Sequence, residues 1–228
     1  NSSLAQSFDR ICDNYEYFKL KEKKIHPKSE IVIFPAVLGL KKFNKIISNI
    51  EKILKRKCFE APTLPPSIPS MRLNKLLEKE ILKFTNIHKG ANIIEAKVID
   101  GKCLSLTDNF GRIIKGSNYI FANGGILMGG LIVKSDGKIY ENILNCKVHQ
   151  INPMKCEESH QTLEALQSSG VITNHNLNPL SLNSKNLSNV FFTGRNLSHW
   201  NPSIEFSSEG VSIASGWFSA NNIARIIN

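Results

Sequence analysis

Arg72 is the residue best suited to hold an anion. It follows Ala61-Pro-Thr-Leu-Pro-Pro-Ser-Ile-Pro-Ser-Met-Arg-Leu73, where four prolines stiffen the chain. Each proline fixes φ near about −65° and pushes its predecessor out of the helical region. Ser70 is a good N-cap, so Arg72 is expected in the first turn of the following helix, where backbone N–H groups also point outward. A surface arginine completing a helix turn or a salt bridge is the alternative role for such a residue. Two glycine clusters could let a backbone approach a phosphate or a flat ring: Ala122-Asn-Gly-Gly125 with Gly129-Gly130, and Thr193-Gly194. Each is expected at the carboxyl end of a strand, where ligands bind in open α/β sheets. Tight turns alone would also use glycine there.

Other residues offer weaker chemistry. Cys146-x2-His149 followed by Cys156-x3-His160 has zinc-ligand types, but its central spacer is short for a zinc finger. His199 could act as an acid or base, or could pack on neighbouring Trp200. Glu157 and Glu158 open a helix through Leu166, where carboxylates favour the N-terminus. No metal site, P-loop or nucleophile triad is expected.

Several elements must position these residues. Residues 1–28 read as a helix ending in a lysine-rich connector, and Ile31 to Ala36 as a strand buried on both faces. Lys41 to Arg56 is an amphipathic helix, and the helix after the proline arm should bury Met71, Leu73, Leu76, Leu77, Ile81 and Leu82. Asp100-Gly101 joins two strands of a hairpin, because Asp-Gly supplies the positive φ of a type I′ turn. A third strand follows the turn Asp108 to Gly111, and Asp136-Gly137 marks another hairpin. The tail reads as a strand at Asn189 to Thr193, a loop through Pro202, and a helix from about Ser208 to Ile227.

The 228 residues carry a formal net charge of +10, which suggests a polyanion partner. Only six of the 29 basic residues are arginines, and no aromatics interleave with the lysines, so a nucleic-acid partner is not expected. The five cysteines form no C-x-x-C pair, consistent with free thiols in a reducing cytoplasm.

Taken in order, several segments resemble one family. Phe34-Pro-Ala-Val-Leu-Gly-Leu40, Pro62-Thr-Leu-Pro-Pro-Ser67 with Met71-Arg-Leu73, and Phe121-Ala-Asn-Gly-Gly-Ile-Leu-Met-Gly-Gly-Leu131 look like the B subunit of anaerobic glycerol-3-phosphate dehydrogenase. Gly170 to Thr173, Leu177-Asn-Pro179, Asn189 to Gly194 and Asn201-Pro202 continue the match. The resemblance implies an α/β fold with α+β character: a partial FAD/NAD(P)-binding-type layer, an inserted antiparallel β-meander, and a C-terminal strand-loop-helix. It implies a substrate-side region over 1–115 and part of a flavin-binding domain over 116–228, with the chain starting partway through the family's length.

The family's activity is oxidation of glycerol 3-phosphate to dihydroxyacetone phosphate, with electrons passed to quinone by subunits A, B and C. By resemblance FAD is the cofactor, subunits A and C are partners, and the complex lies at the inner face of the cell membrane. Ala122, Gly124, Gly129, Gly130, Thr193, Gly194, Pro202 and Gly210 would lie near the flavin nucleotide. Arg72, Thr63 and Ser67 would meet a small phosphorylated substrate. The sequence departs from the family pattern in three places. It lacks Gly-x-Gly-x-x-Gly, it has a single glycine in Phe206-Ser-Ser-Glu-Gly210, and it carries Tyr140-Glu-Asn142 and Asn201 where the family has Arg-Glu-Pro and Asp. A non-catalytic scaffold subunit is therefore the competing reading.

Overall fold

A computed structural model describes residues 2–14, 16, 29–64, 67–151, 156–183 and 185–227. The lysine-rich connector and the Pro65-Pro66 pair lie outside the described residues. The chain is mixed α/β, as the sequence predicts, and packs as two units, 1–88 and 89–228.

In the first unit, helix α1 (Ser2–Ile11), strand β1 (Ile31–Pro35), helix α2 (Phe43–Leu54), strand β2 (Lys57–Ala61) and helix α3 (Ile68–Ile81) succeed one another. Strands β1 and β2 pair in parallel, with Ile31 opposite Lys57 and Pro35 opposite Ala61. Strand β2 is not apparent in the sequence, because Lys57-Cys-Phe-Glu-Ala61 lacks a long apolar run. The α2 stripe buries Ile46 and Ile50 against Cys12, Leu38 and Cys58, with Phe8, Val32 and Phe34 packed around them. Asp9 on α1 accepts hydrogen bonds from the backbone N–H groups of Leu40, Lys41 and Lys42, satisfying donors at the start of α2. Gly39 (φ +87°) is required beside it, since a Cβ there would stand 2.4 Å from Ile46 Cδ1 and 2.7 Å from Asp9 Oδ1.

Two expectations for this unit are corrected. Strand β1 is covered on one face only, because Ile31 and Ile33 are exposed on the side away from α2. Helix α3 does not bury its apolar stripe: Leu73, Leu76, Leu77, Ile81 and Leu82 are exposed, while Ile68 packs against Ala5 and Leu40. Helical spacing defines a face, but a core forms only where another element meets it.

The second unit opens with strands β3 (Ile93–Ile99), β4 (Lys102–Asp108) and β5 (Ile113–Ile114), an antiparallel meander. Asp100 and Gly101 both have positive φ, as a type I′ turn requires. Strands β6 (Tyr119–Phe121), β7 (Ile132–Val133), β8 (Ile139–Tyr140), β9 (Val148–His149), β10 (Gly170–Val171) and β11 (Val190–Phe192) are short. Helices α4 (Ser159–Ser168), α5 (Pro202–Glu205) and α6 (Ser208–Ile227) complete the unit. No helix among the described residues is long and apolar enough to cross a membrane.

The sequence places a boundary at 115, whereas the packing divides the chain after His88. The meander shares a core with the strands after it, since Cys103 and Leu106 pack with Tyr119, Phe121, Val190 and Phe192. Asn189 also binds the meander to β11: its Nδ2 donates to Cys103 O and Ser117 O, and its Oδ1 accepts from Cys103 N.

Asp108 closes the meander. Its buried carboxylate accepts from the backbone N–H groups of Phe110 and Arg112 and from Arg112 Nε at 2.6 Å. Burial pulls its pKa up, but these hydrogen bonds outweigh burial and hold it below the ordinary 3.8. A depressed carboxylate contributes stability above its unfolded pKa and loses it as pH falls through the folded value. The wild-type meander should therefore lose stability below about pH 4, and Asp108→Asn should remove that acid-dependent component in thermal melts across pH 2–6.

Candidate functional site

In the first unit, Ser67 caps α3 with extended backbone, and its Oγ accepts from Ser70 N at 3.4 Å. The sequence points to Ser70 as the cap. The helix starts earlier because Pro69 is tolerated in a first turn, where its missing N–H would have no intrahelical partner. Arg72 consequently sits in the second turn. Its Nε donates to Gly39 O (2.7 Å), and Nη1 and Nη2 donate to the two Glu60 carboxylate oxygens (2.6 and 3.0 Å). The guanidinium also lies 4.1 Å from the centre of the Phe43 ring. The side chains of Arg72 and Glu60 are 15% and 6% exposed, so this fork is a buried ion pair. Glu60, which sequence reasoning missed, also accepts from Leu38 N. Thr63 lies on the arm with its Oγ1 buried and without a hydrogen-bond partner among the described residues. Thus Arg72 holds an internal carboxylate in a buried fork, where the alternative raised by the sequence places it on the surface.

In the second unit, β6 and β11 pair in parallel, with Tyr119 opposite Val190 and Phe121 opposite Phe192. The Phe121 and Phe192 rings stack with centroids 5.1 Å apart. Parallel pairing puts both carboxyl ends on one edge, so the two glycine clusters become neighbours. Thr193 N donates to Phe121 O, and Asn196 Nδ2 donates to Phe121 O and Asn123 Oδ1. Gly124 and Gly129 have positive φ around a 3-10 turn at Ile126–Met128. Gly130 is required by packing, since a Cβ there would stand 1.8 Å from Gly124 O and 2.7 Å from Asn196 Oδ1. Gly194 (φ +63°) opens a second 3-10 turn through Asn196, and its N–H donates to Ser215 Oγ on α6.

The remaining candidates also lie in the second unit. His149 lies against His199, ring centroids 4.3 Å apart and the planes tilted by 36°. Burial, with His199 beside it, pushes the His149 pKa down. Burial and neighbouring Glu141 push the Cys146 thiol far up, which disfavours the thiolate that a metal requires. His160 Nδ1 lies 3.0 Å from Glu158. Among the described residues no group of three or more His, Cys, Asp or Glu is placed to hold a metal ion. Glu141, within the divergent Tyr140-Glu-Asn142, is buried and accepts from the N–H groups of Ile143, Leu144 and Cys146.

A flavin nucleotide combines a flat ring with a pyrophosphate, and the residues suit these parts unequally. Ala122 and Gly129 are exposed on the glycine edge, and no atom of the described residues lies within 4 Å of a Cβ built on Gly129. Such an open backbone suits the face of a ring. Gly210 is also open, and Pro202 begins α5 nearby in sequence. The phosphate end fits poorly: Glu209 stands in the first turn of α6, where a negative side chain takes the place that an anion would favour.

These features define a mixed α/β protein with glycine turns gathered at the carboxyl edge of a parallel strand pair. The chain is similar to proteins named as the B subunit of anaerobic glycerol-3-phosphate dehydrogenase. The Vibrio cholerae serotype O1 (El Tor Inaba N16961) protein is 28% identical over 225 residues, 95% of this chain and 49% of the relative. The Yersinia pestis bv. Antiqua protein is 28% identical over 227 residues, 97% of this chain and 52% of the relative. The Vibrio vulnificus protein is 27% identical over 217 residues, 92% of this chain and 48% of the relative. The chain spans about half the length of the curated relatives it matches. No protein-family model and no solved structure matches it.

Proposed function

We propose that this chain is the substrate-side part of a flavin-dependent dehydrogenase subunit that oxidises glycerol 3-phosphate to dihydroxyacetone phosphate and passes electrons to quinone. The parallel pairing of β6 and β11, which sets Ala122 to Gly130 beside Thr193 and Gly194, is the observation that carries this reading. The names of the relatives support it. When bound, a flavin supplies the hydride acceptor for the substrate's carbinol carbon. The chain's own contribution would be a glycine edge open to the ring, with Ala122 and Gly129 facing it and Thr193 and Gly194 fixing that edge from below. The pyrophosphate would be held by other protein segments, and subunits of the A and C type would complete the complex at the inner face of the membrane.

A non-catalytic scaffold is the second reading. It is favoured by Glu209 at the start of α6 and by Glu60 occupying the Arg72 fork. The visible spectrum of the purified chain, with and without FAD, separates the two. The dehydrogenase reading expects a bound-flavin spectrum, either alone or with partner subunits, that bleaches with glycerol 3-phosphate. Absence of flavin in both preparations would establish the scaffold.

A further inference from the structure

We propose that Arg195 and Trp200 form a binding site for a small oxyanion at the glycine edge, an inference that does not require flavin binding. Arg195 lies in the 3-10 turn immediately after Gly194 and is half-buried. Its Nη2 donates to Gln167 O on α4, and its guanidinium carbon lies 5.3 Å from the centre of the Trp200 ring. Its Nη1 is buried and has no hydrogen-bond partner among the described residues. Trp200 is 9% exposed, and its indole Nε1–H is likewise buried and unpartnered. Two strong donors on adjacent side chains therefore lack acceptors among the described residues.

No carboxylate among the described residues pairs with Arg195, and burial alone pushes its pKa down. An arginine cannot relieve such a site by giving up its proton, since guanidinium stays charged in proteins. A half-buried cation without a counter-charge is costly for a fold to keep, and an indole beside it offsets only part of that cost. The contrast with Arg72 is direct: there the chain supplies its own carboxylate from Glu60, whereas at Arg195 none is supplied. The glycine loop packs against the aliphatic stem of the arginine, since a Cβ built on Gly125 would come within 3.3 Å of Arg195 Cγ. An oxyanion accepting from Nη1 and Nε1 would satisfy both donors and the charge together.

Trp200 provides the readout. Trp217, the other tryptophan, is 69% exposed, so Trp217→Phe isolates the Trp200 emission. In that background the full chain is titrated with inorganic phosphate, acetate, glycerol 3-phosphate and FAD, following emission and melting temperature. A saturable change in emission with a rise of about 3 °C or more at saturation is expected for at least one of them. Which one responds identifies the source: phosphate, a carboxylate, the substrate-like ester or the nucleotide. Arg195→Met should abolish both responses and, without added anion, melt no lower than the parent. Arg195→Lys, which keeps the charge but loses the fork, should bind at least about tenfold more weakly. The proposal is overturned if no probe moves either signal, or if Arg195→Met or Arg195→Lys responds as the parent does. Phosphate binding without FAD binding would leave this site standing and show that the chain by itself does not take up the nucleotide, while loss of flavin with partner subunits present as well would remove the flavin reading. FAD binding unaffected by Arg195→Met would overturn this site and leave the flavin reading standing.

Discussion

Replacing Glu60 with alanine is expected to destabilise the first unit by about 3–5 kcal/mol, the range for removing one partner of a buried ion pair. The loss has two sources. Arg72 would keep its charge, 15% exposed and without its carboxylate, and Leu38 N would lose the acceptor that it meets at 2.6 Å. Both tryptophans belong to the second unit, so their fluorescence would not report the change. Native-state hydrogen exchange at the Ile46 and Ile50 amides reads it directly, because these residues form the α2 face of the core. The double variant Glu60→Met with Arg72→Met should recover most of the loss, since an apolar pair of similar volume often matches a buried ion pair. Adding glycerol 3-phosphate to Glu60→Ala addresses the substrate reading of Arg72. Recovery of exchange protection would mean that the fork can exchange an internal carboxylate for a ligand anion, and no recovery would assign it to the fold alone.

The glycine edge makes a graded prediction. Gly130→Ala should destabilise the second unit by about 1–3 kcal/mol or more, because the new Cβ meets a carbonyl oxygen that only backbone movement can displace. Gly129→Ala has open space and bears only the strain of its positive φ, about 1–2 kcal/mol. Gly210→Ala also has open space and sits in a helix, where alanine is favoured by up to about 1 kcal/mol. Thermal melts should therefore rank the variants with Gly130→Ala lowest and Gly210→Ala at or above the parent. Equal effects at Gly129 and Gly130 would contradict this packing. Under the flavin reading, Gly129→Ala should weaken flavin uptake even though the fold survives, which separates a ligand-facing glycine from a packing one.

Local chemistry is legible in the amino-acid order. Asp100-Gly101 announces a hairpin because few residue pairs accept positive φ at both positions, Asp136-Gly137 announces another through the positive φ of Gly137, and the α2 stripe announces a helix with a buried face because its period is 3.6. The glycine clusters are likewise visible as the ends of β6 and β11. Beyond the reach of the sequence is which distant groups meet. Nothing in Glu60 and Arg72, twelve residues apart, reveals a buried fork, since the same residues suit an exposed anion seat until β2 and α3 are brought together. The apolar stripe of α3 specifies a face but not a partner, and the structure leaves that face exposed. Gly124 to Gly130 and Thr193 to Asn196 are neighbours only because β6 and β11 pair in parallel, a long-range choice made by the shared core of Phe121, Val190 and Phe192. Turn and helix preferences act over a few residues and so can be read in order, whereas ion pairs, orphaned donors and strand partners depend on burial, which only the assembled chain decides.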